Sequence, residues 1–283
     1  QPVLKDVTIS FDAGEVISFL GPNGSGKTTL LKLILGLYRP HSGKILLEGR
    51  PVSSIPPKQL ARRIAYVPQV HRLSFGYRVL EVVLMGRLPY KPFFFRYNQD
   101  DRLAAIDALD RLSIVHLQER PYTEISGGER QLVLIARALV QGADIFIMDE
   151  PVNGLDYGNQ LRLLSRIADL AGTGYTFIKT THFPDHALWI SDRVVMLKDG
   201  RVIADGRTVE TINRTNLHKL YNTHVDVLEI DGGGRVCFPG KIGNTNDYGE
   251  LKNRKTYQGA CGSVSVCSSA SVYRKTIPKR ASG

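Results

Sequence analysis

Three observations on this chain of 283 residues predict an α/β fold with a helical lobe inserted into it. The segment Gly21-Pro22-Asn23-Gly24-Ser25-Gly26-Lys27-Thr28-Thr29 fits G-x-x-x-x-G-K-[ST]. It stands between the apolar runs Val16-Ile17-Ser18-Phe19-Leu20 and Leu30-Leu31-Lys32-Leu33-Ile34-Leu35, the strand–loop–helix setting that this pattern requires. Residues 78–143 show helical spacing of apolar positions without a strand-like run. Strand–helix alternation then resumes at Ile145-Phe146-Ile147-Met148.

Residues 3–11 alternate partly and read as a half-buried strand, and residues 44–49 as another strand ending in a turn. Ile55-Pro56-Pro57 marks a loop before a short helix over residues 58–63. Residues 64–69 form a strand that Pro68 terminates. Helices are expected over 79–85 and 101–112, separated by the aromatic, proline-broken segment 88–97, and Ser126 is placed to cap a third that runs to Val140. The run 145–148 suits a strand buried on both faces. Residues 159–170 are amphipathic, with Leu161, Leu164, Ile167, Ala168 and Leu170 on one side. Residues 175–179 and 193–197 are further strands, and residues 225–238 a hairpin around Gly232-Gly233-Gly234. Residues 1–240 are thus read as one domain. Residues 241–283, rich in Gly, Ser, Thr, Asn and basic side chains, are read as a poorly ordered tail.

The tail also holds more than half of the formal charge of +10: Lys241, Lys252, Arg254, Lys255, Arg274, Lys275, Lys279 and Arg280 against Asp247 and Glu250. The remainder is only mildly basic, so no nucleic-acid partner is expected. The tail's charge suits anionic lipid headgroups or no ligand at all. No run of about 18 apolar residues occurs, so no membrane-spanning helix is expected. Cys237, Cys261 and Cys267 form no C-x-x-C pair, which fits a reducing compartment. The chain opens on Gln1 rather than Met, and further residues are expected upstream.

The glycine-rich loop carries the first chemistry. Its backbone N–H groups wrap phosphates, Lys27 bridges the β- and γ-phosphates, and Thr28 places its hydroxyl on Mg²⁺. Gly24 and Gly26 allow close backbone approach, and the helix that follows adds its positive end. The strand 145–148 ends in Asp149-Glu150, one carboxylate for the Mg²⁺ shell and one to act as general base on water. Ser126-Gly127-Gly128 before a helix offers a hydroxyl and bare N–H groups, a second anion site.

These segments, with Ile125-Ser126-Gly127-Gly128-Glu129-Arg130-Gln131 between them, resemble the ATP-binding cassette (ABC) ATPases, whose usual signature is Leu-Ser-Gly-Gly-Gln; here Ile125 and Glu129 depart from it. The resemblance covers residues 1–240. It implies a P-loop NTPase core: a RecA-like mixed sheet with an antiparallel β subdomain, plus the inserted α-helical subdomain at about 78–143. It also implies ATP and Mg²⁺ as ligands. The ATP contacts would come from Gly21, Pro22, Asn23, Gly24, Ser25, Gly26, Lys27, Thr28 and Thr29, and from Ser126, Gly127, Gly128, Glu129 and Asp156. Thr28, Gln69 and Asp149 would hold the metal, and Glu150, His182 and Gln69 would serve catalysis. Gln69 matches the family's lid glutamine, Gly154-Leu155-Asp156 the loop that crosses the dimer, and Thr180-Thr181-His182 the switch histidine. The family stacks adenine on an upstream aromatic; residues 1–10 contain none, so none is assigned.

Within the family the chain is similar to the ATPases of metal-chelate importers for ferric siderophore, haem, cobalamin or molybdate. The segments that carry this are Glu81-Val82-Val83-Leu84-Met85-Gly86-Arg87, residues 131–139, Asp205-Gly206 and the end of the hairpin at Phe238-Pro239. This implies a homodimer of ATPase subunits at the cytoplasmic face of the cell (inner) membrane. It implies integral-membrane permease subunits as partners, and indirectly a substrate-binding protein. Phe75, Tyr77 and Leu80 are candidates for the permease groove or belong to the lobe's own core. Phe93-Phe94-Phe95 is either a partner contact or lobe core. The alternative is a soluble, non-transport ABC ATPase of DNA repair, chromosomes or ribosomes. Against it, Lys27 and Ser126 stand too close in the chain for a long inserted coiled coil, no heptads are sustained, and there is one cassette.

Overall fold

The structure, a computed structural model, describes residues 3–69, 76–92, 94–230 and 234–240. Its centre is β1 (Val16–Leu20), buried at every position, from which the phosphate loop leads into α1 (Lys27–Ile34). The chain then forms β2 (Leu46–Leu47) and β3 (Arg50–Pro51), α2 (Pro57–Leu60) and β4 (Ile64–Val67). The helical lobe follows as α3 (Val79–Leu84), α4 (Gln99–Arg111) and α5 (Gly127–Val140). Beyond it come β5 (Ile145–Met148), α6 (Tyr157–Ala171), β6 (Thr176–Thr181), α7 (Pro184–Ile190), β7 (Arg193–Lys198) and β8 (Arg201–Arg207). Two short helices, α8 (Thr208–Thr211) and α9 (Arg214–Tyr221), precede the hairpin of β9 (Val225–Ile230) and β10 (Gly234–Pro239).

The main sheet runs β4-β5-β6-β1-β7-β8, parallel except for β8 on β7. Alternation along β1 sends Ile17 and Phe19 to one face, where they pack with Leu30 and Leu31 of α1. On the other face Val16, Phe146, Met148 and Phe177 meet the apolar stripes of the lobe helices and of α6. A third cluster of Leu20, Val194 and Met196 receives Leu217 and Leu220 of α9. The phosphate loop, Asp149-Glu150 and His182 all leave the carboxyl ends of adjacent strands, where ligands of such sheets bind.

Several expectations shift. Residues 3–11 form no strand: Leu4, Val7, Ile9 and Phe11 pack on the core as the alternation requires. The segment lacks a ladder, however, and is tied by isolated bonds such as Lys5 N–H to the Gly200 carbonyl (2.8 Å). The strand expected over 44–49 shrinks to β2, because Glu48 (φ 50°) and Gly49 (φ 78°) turn the chain straight back into β3. In α6 the inward residue is Leu163 rather than Leu161, which is 39% exposed; Leu163, Leu164, Ile167 and Leu170 are the stripe that α6 presents to the core. Leu80 belongs to the lobe core, while Tyr77 lines a surface groove with Arg78, Glu81 and Tyr97. Phe94 is 88% exposed and Phe95 packs edge-on to Tyr97. Phe75, Phe93, residues 231–233 and the tail from Lys241 lie outside the described residues.

Among its described residues the lobe contains one buried carboxylate. Asp101, 2% exposed, accepts from Arg87 Nε (3.0 Å), Lys91 Nζ and the Asn98 N–H (2.9 Å) that opens α4. Burial alone would raise its pKa; the bonds from Lys91, Asn98 and Arg87 outweigh that and hold it at about 2. A depressed carboxylate stabilises the fold above its unfolded pKa and loses that contribution as pH falls toward 2. Asp101→Asn is expected to cost about 1–3 kcal/mol in chemical denaturation at pH 7. It should also flatten the pH dependence between the ordinary aspartate value of 3.8 and about 2.

Candidate functional site: the phosphate loop and its carboxylates

Backbone geometry explains the loop's glycines. Gly24 (φ 80°) and Gly26 (φ 102°) lie in the left-handed region, and a Cβ at Gly21 would meet the Leu197 carbonyl oxygen at 2.3 Å. Gly26 is the N-cap of α1, with no side-chain cap and no acidic residue in the first turn. The helix therefore presents its first N–H groups and positive end without an internal anion. Ser25 Oγ is buried with no partner among the described residues. The residues present fit a phosphate group.

Lys27, 6% exposed, donates to the carbonyls of Gly21 (2.7 Å) and Pro22 (3.0 Å) and lies 4.0 Å from Glu150 Oε1. Burial lowers its pKa, against the opposing charges of Glu150 and Asp149. Thr28 Oγ1 donates to Asp149 Oδ1 (3.2 Å), and Thr180 Oγ1 donates to the same oxygen (2.7 Å) while accepting the Glu150 N–H (2.8 Å). Thr28 and Asp149 together suit Mg²⁺, which takes one or two protein oxygens plus phosphates and water. Glu150 sits at φ 43°, a left-handed conformation unusual for a side-chain-bearing residue. Its Oε2 accepts from Asn153 Nδ2 (3.2 Å), and its Oε1 lies 3.4 Å from His182 Nδ1, a contact not aligned for a hydrogen bond.

Lys27, Thr28, Asp149, Glu150 and His182 thus converge as their motifs predict. Gln69 is exposed two residues past β4, whose last residue Val67 pairs with Met148 just before Asp149. Thr180 and Asn153 are the site residues that sequence reasoning left without a role. The parallel pairing of Met148 with Lys179 sets Asp149 beside Thr180, a register that local pattern does not reveal.

The signature segment forms a second cluster. Ser126 Oγ accepts from Glu129 N–H (3.3 Å), and Glu129 Oε2 accepts from Ser126 N–H (2.8 Å), a capping box at the start of α5. The Ser126 N–H, and after it the Ser126 hydroxyl, hold the Glu129 carboxyl below its usual range. Asp156 caps α6 through Asn159 N–H (2.8 Å), and a Cβ on Gly128 would meet Asn159 Cγ at 2.9 Å, so Gly128 permits the start of α5 to touch the first turn of α6. Among the described residues no hydrogen bond or ion pair joins this cluster to the phosphate loop.

The sequence pattern of the family described as ABC transporter matches residues 4–153. An uncharacterized ABC transporter ATP-binding protein of Haemophilus influenzae is 38% identical over 81% of this chain and 87% of its own length. The iron(3+)-hydroxamate import ATP-binding protein of Bacillus subtilis is 33% identical over 80% of this chain and 84% of its own. Among solved structures, an ABC transporter described as of metal-chelate type, in an inward-facing conformation, superposes with a TM-score of 0.75. It is 32% identical and covers 83% of this chain and 90% of its own. The chain belongs to the ABC transporter family, as one of its ATP-binding subunits that hydrolyse ATP to power transport.

Proposed function

We propose that this chain energises import of a metal chelate through separate membrane permease subunits, acting as a homodimer. The observation that carries the reading is the convergence of Lys27, Glu150 and His182 at the ends of β1, β5 and β6, in a chain similar to an iron(3+)-hydroxamate import protein and a metal-chelate type transporter. No described helix is long and apolar enough to cross a membrane, and we assign the path for the chelate to the permease subunits.

Lys27 exchanges its two loop carbonyls for phosphate oxygens, and the unblocked first turn of α1 and Ser25 Oγ add donors. Thr28 and Asp149, with Gln69 alongside, would hold Mg²⁺, which would supply charge neutralisation on the phosphates. Glu150 takes the proton of the attacking water, and His182 steadies the γ-phosphate end of the site. Ser126, Gly127 and Gly128 form the complementary anion site, which a second copy turns toward this copy's phosphate loop. Two bound ATP molecules close the dimer, closure moves the permease halves, and hydrolysis releases them.

Uptake of labelled ferric hydroxamate, haem, cobalamin and molybdate by cells lacking this chain tests the reading. One of the four is expected to be lost, restored by the wild-type chain and not by an inactive Lys27→Ala chain. Unchanged uptake of all four would overturn the assignment and favour the non-transport alternative.

A further inference from the structure

The imidazole of His182 makes no aligned hydrogen bond among the described residues, although it must face Glu150 to act. Its position is therefore set by its backbone and by the ring of Phe183, 4.0 Å away between centroids. That backbone is held from the far end of the cassette. Tyr221, the last residue of α9, donates its hydroxyl to the His182 carbonyl at 2.9 Å. The phenol is fixed in turn: α9 ends at Asn222 in the left-handed region (φ 55°), and Lys198 of β7 donates to the Lys219 carbonyl and to Asn222 Oδ1 (2.7 Å). A second tie lies one turn further, where Asp185 Oδ1 accepts the Cys237 N–H of β10 at 2.7 Å. Burial raises the Tyr221 hydroxyl far above its ordinary pKa, so it stays a donor at any working pH.

We propose that Tyr221 is a positioning residue for His182, and that with the Asp185–Cys237 bond it makes the C-terminal elements a clamp on the switch segment. The inference rests on the role given to His182 above. A carbonyl freed from Tyr221 lets residues 182–183 relax, and an imidazole displaced by a fraction of an ångström loses its relation to Glu150. Misplacement of a catalytic group by about 1 Å can cost about a hundredfold in rate.

The experiment is steady-state ATP hydrolysis in a double-mutant cycle of Tyr221→Phe and His182→Ala, with thermal unfolding of each variant. Tyr221→Phe, which removes one oxygen, should lower kcat about tenfold. KM and the unfolding midpoint should stay near wild type. In the His182→Ala background it should have no further effect. Asp185→Ala should act in the same direction and serves as the second variant if Tyr221→Phe folds poorly. Equal effects of Tyr221→Phe in both backgrounds, or a kcat unchanged while His182→Ala is inactive, would overturn the clamp alone. Full turnover by His182→Ala would remove the role of His182 and the clamp with it.

Discussion

Glu150→Gln should lower steady-state ATP hydrolysis by at least about a hundredfold, the contribution expected of a positioned general base. Shape is preserved, because glutamine can still accept from Asn153 Nδ2, which donates to Glu150 Oε2 at 3.2 Å. Nucleotide binding should survive, since Lys27 loses only a 4.0 Å ion pair and can still exchange its loop carbonyls for phosphate oxygens. Removing one negative charge beside Asp149 also reduces repulsion of the phosphates. The expected outcome is therefore a chain that binds ATP, turns over little of it and accumulates as a dimer. Nucleotide-binding titration, phosphate release and light scattering with ATP check the three parts. Normal turnover would take Glu150 out of the role and leave its left-handed backbone without a catalytic reason.

The second large effect concerns stability. Lys179, 1% exposed on β6, has one weak acceptor among the described residues, the His186 carbonyl at 3.4 Å, and burial pushes its pKa down to about 7. Beside it, burial, Lys179 and His182 push His186 down to about 4, and its Nδ1 has no partner among the described residues. Both groups bind protons more readily unfolded than folded. Stability from Lys179 is thus lost as pH falls from its unfolded value of 10.5 to about 7, and that from His186 between 6.5 and about 4. The slope approaches about 1.4 kcal/mol per pH unit for each group. Lys179→Met should raise stability at pH 7 by about 1–4 kcal/mol, as apolar replacement of a buried charge often does. It should also remove the slope between pH 7 and 10 and weaken the His186 slope, because the Lys179 charge is one of the causes that depress His186. Denaturant titrations across pH test this; a retained alkaline slope would assign it to another group.

Function proved more legible than architecture in this chain. The phosphate loop, the carboxylates after β5 and the start of α5 are local patterns, each set by a turn, a cap or a strand end, and they stand where their residues place them. Residues 3–11 carry strand-like alternation, but a ladder needs a partner at the right distance, which alternation does not specify. Leu161 and Leu163 are equally apolar, and only the packing partners of α6 decide which one faces the core. The support around His182 was invisible for the same reason: Tyr221 lies 39 positions from it, and Thr180 gains its partner through sheet register.

The left-handed backbone at Glu150 bears on how this sequence drifts. A side chain at φ 43° costs roughly 1 kcal/mol that glycine would not incur. On the role proposed for Glu150, a substitution to glycine therefore improves folding while it erases turnover. A selection for expression or thermostability alone would drive position 150 toward inactive chains. On that role, an intact glutamate here is held by hydrolysis itself, because folding preference pulls the other way.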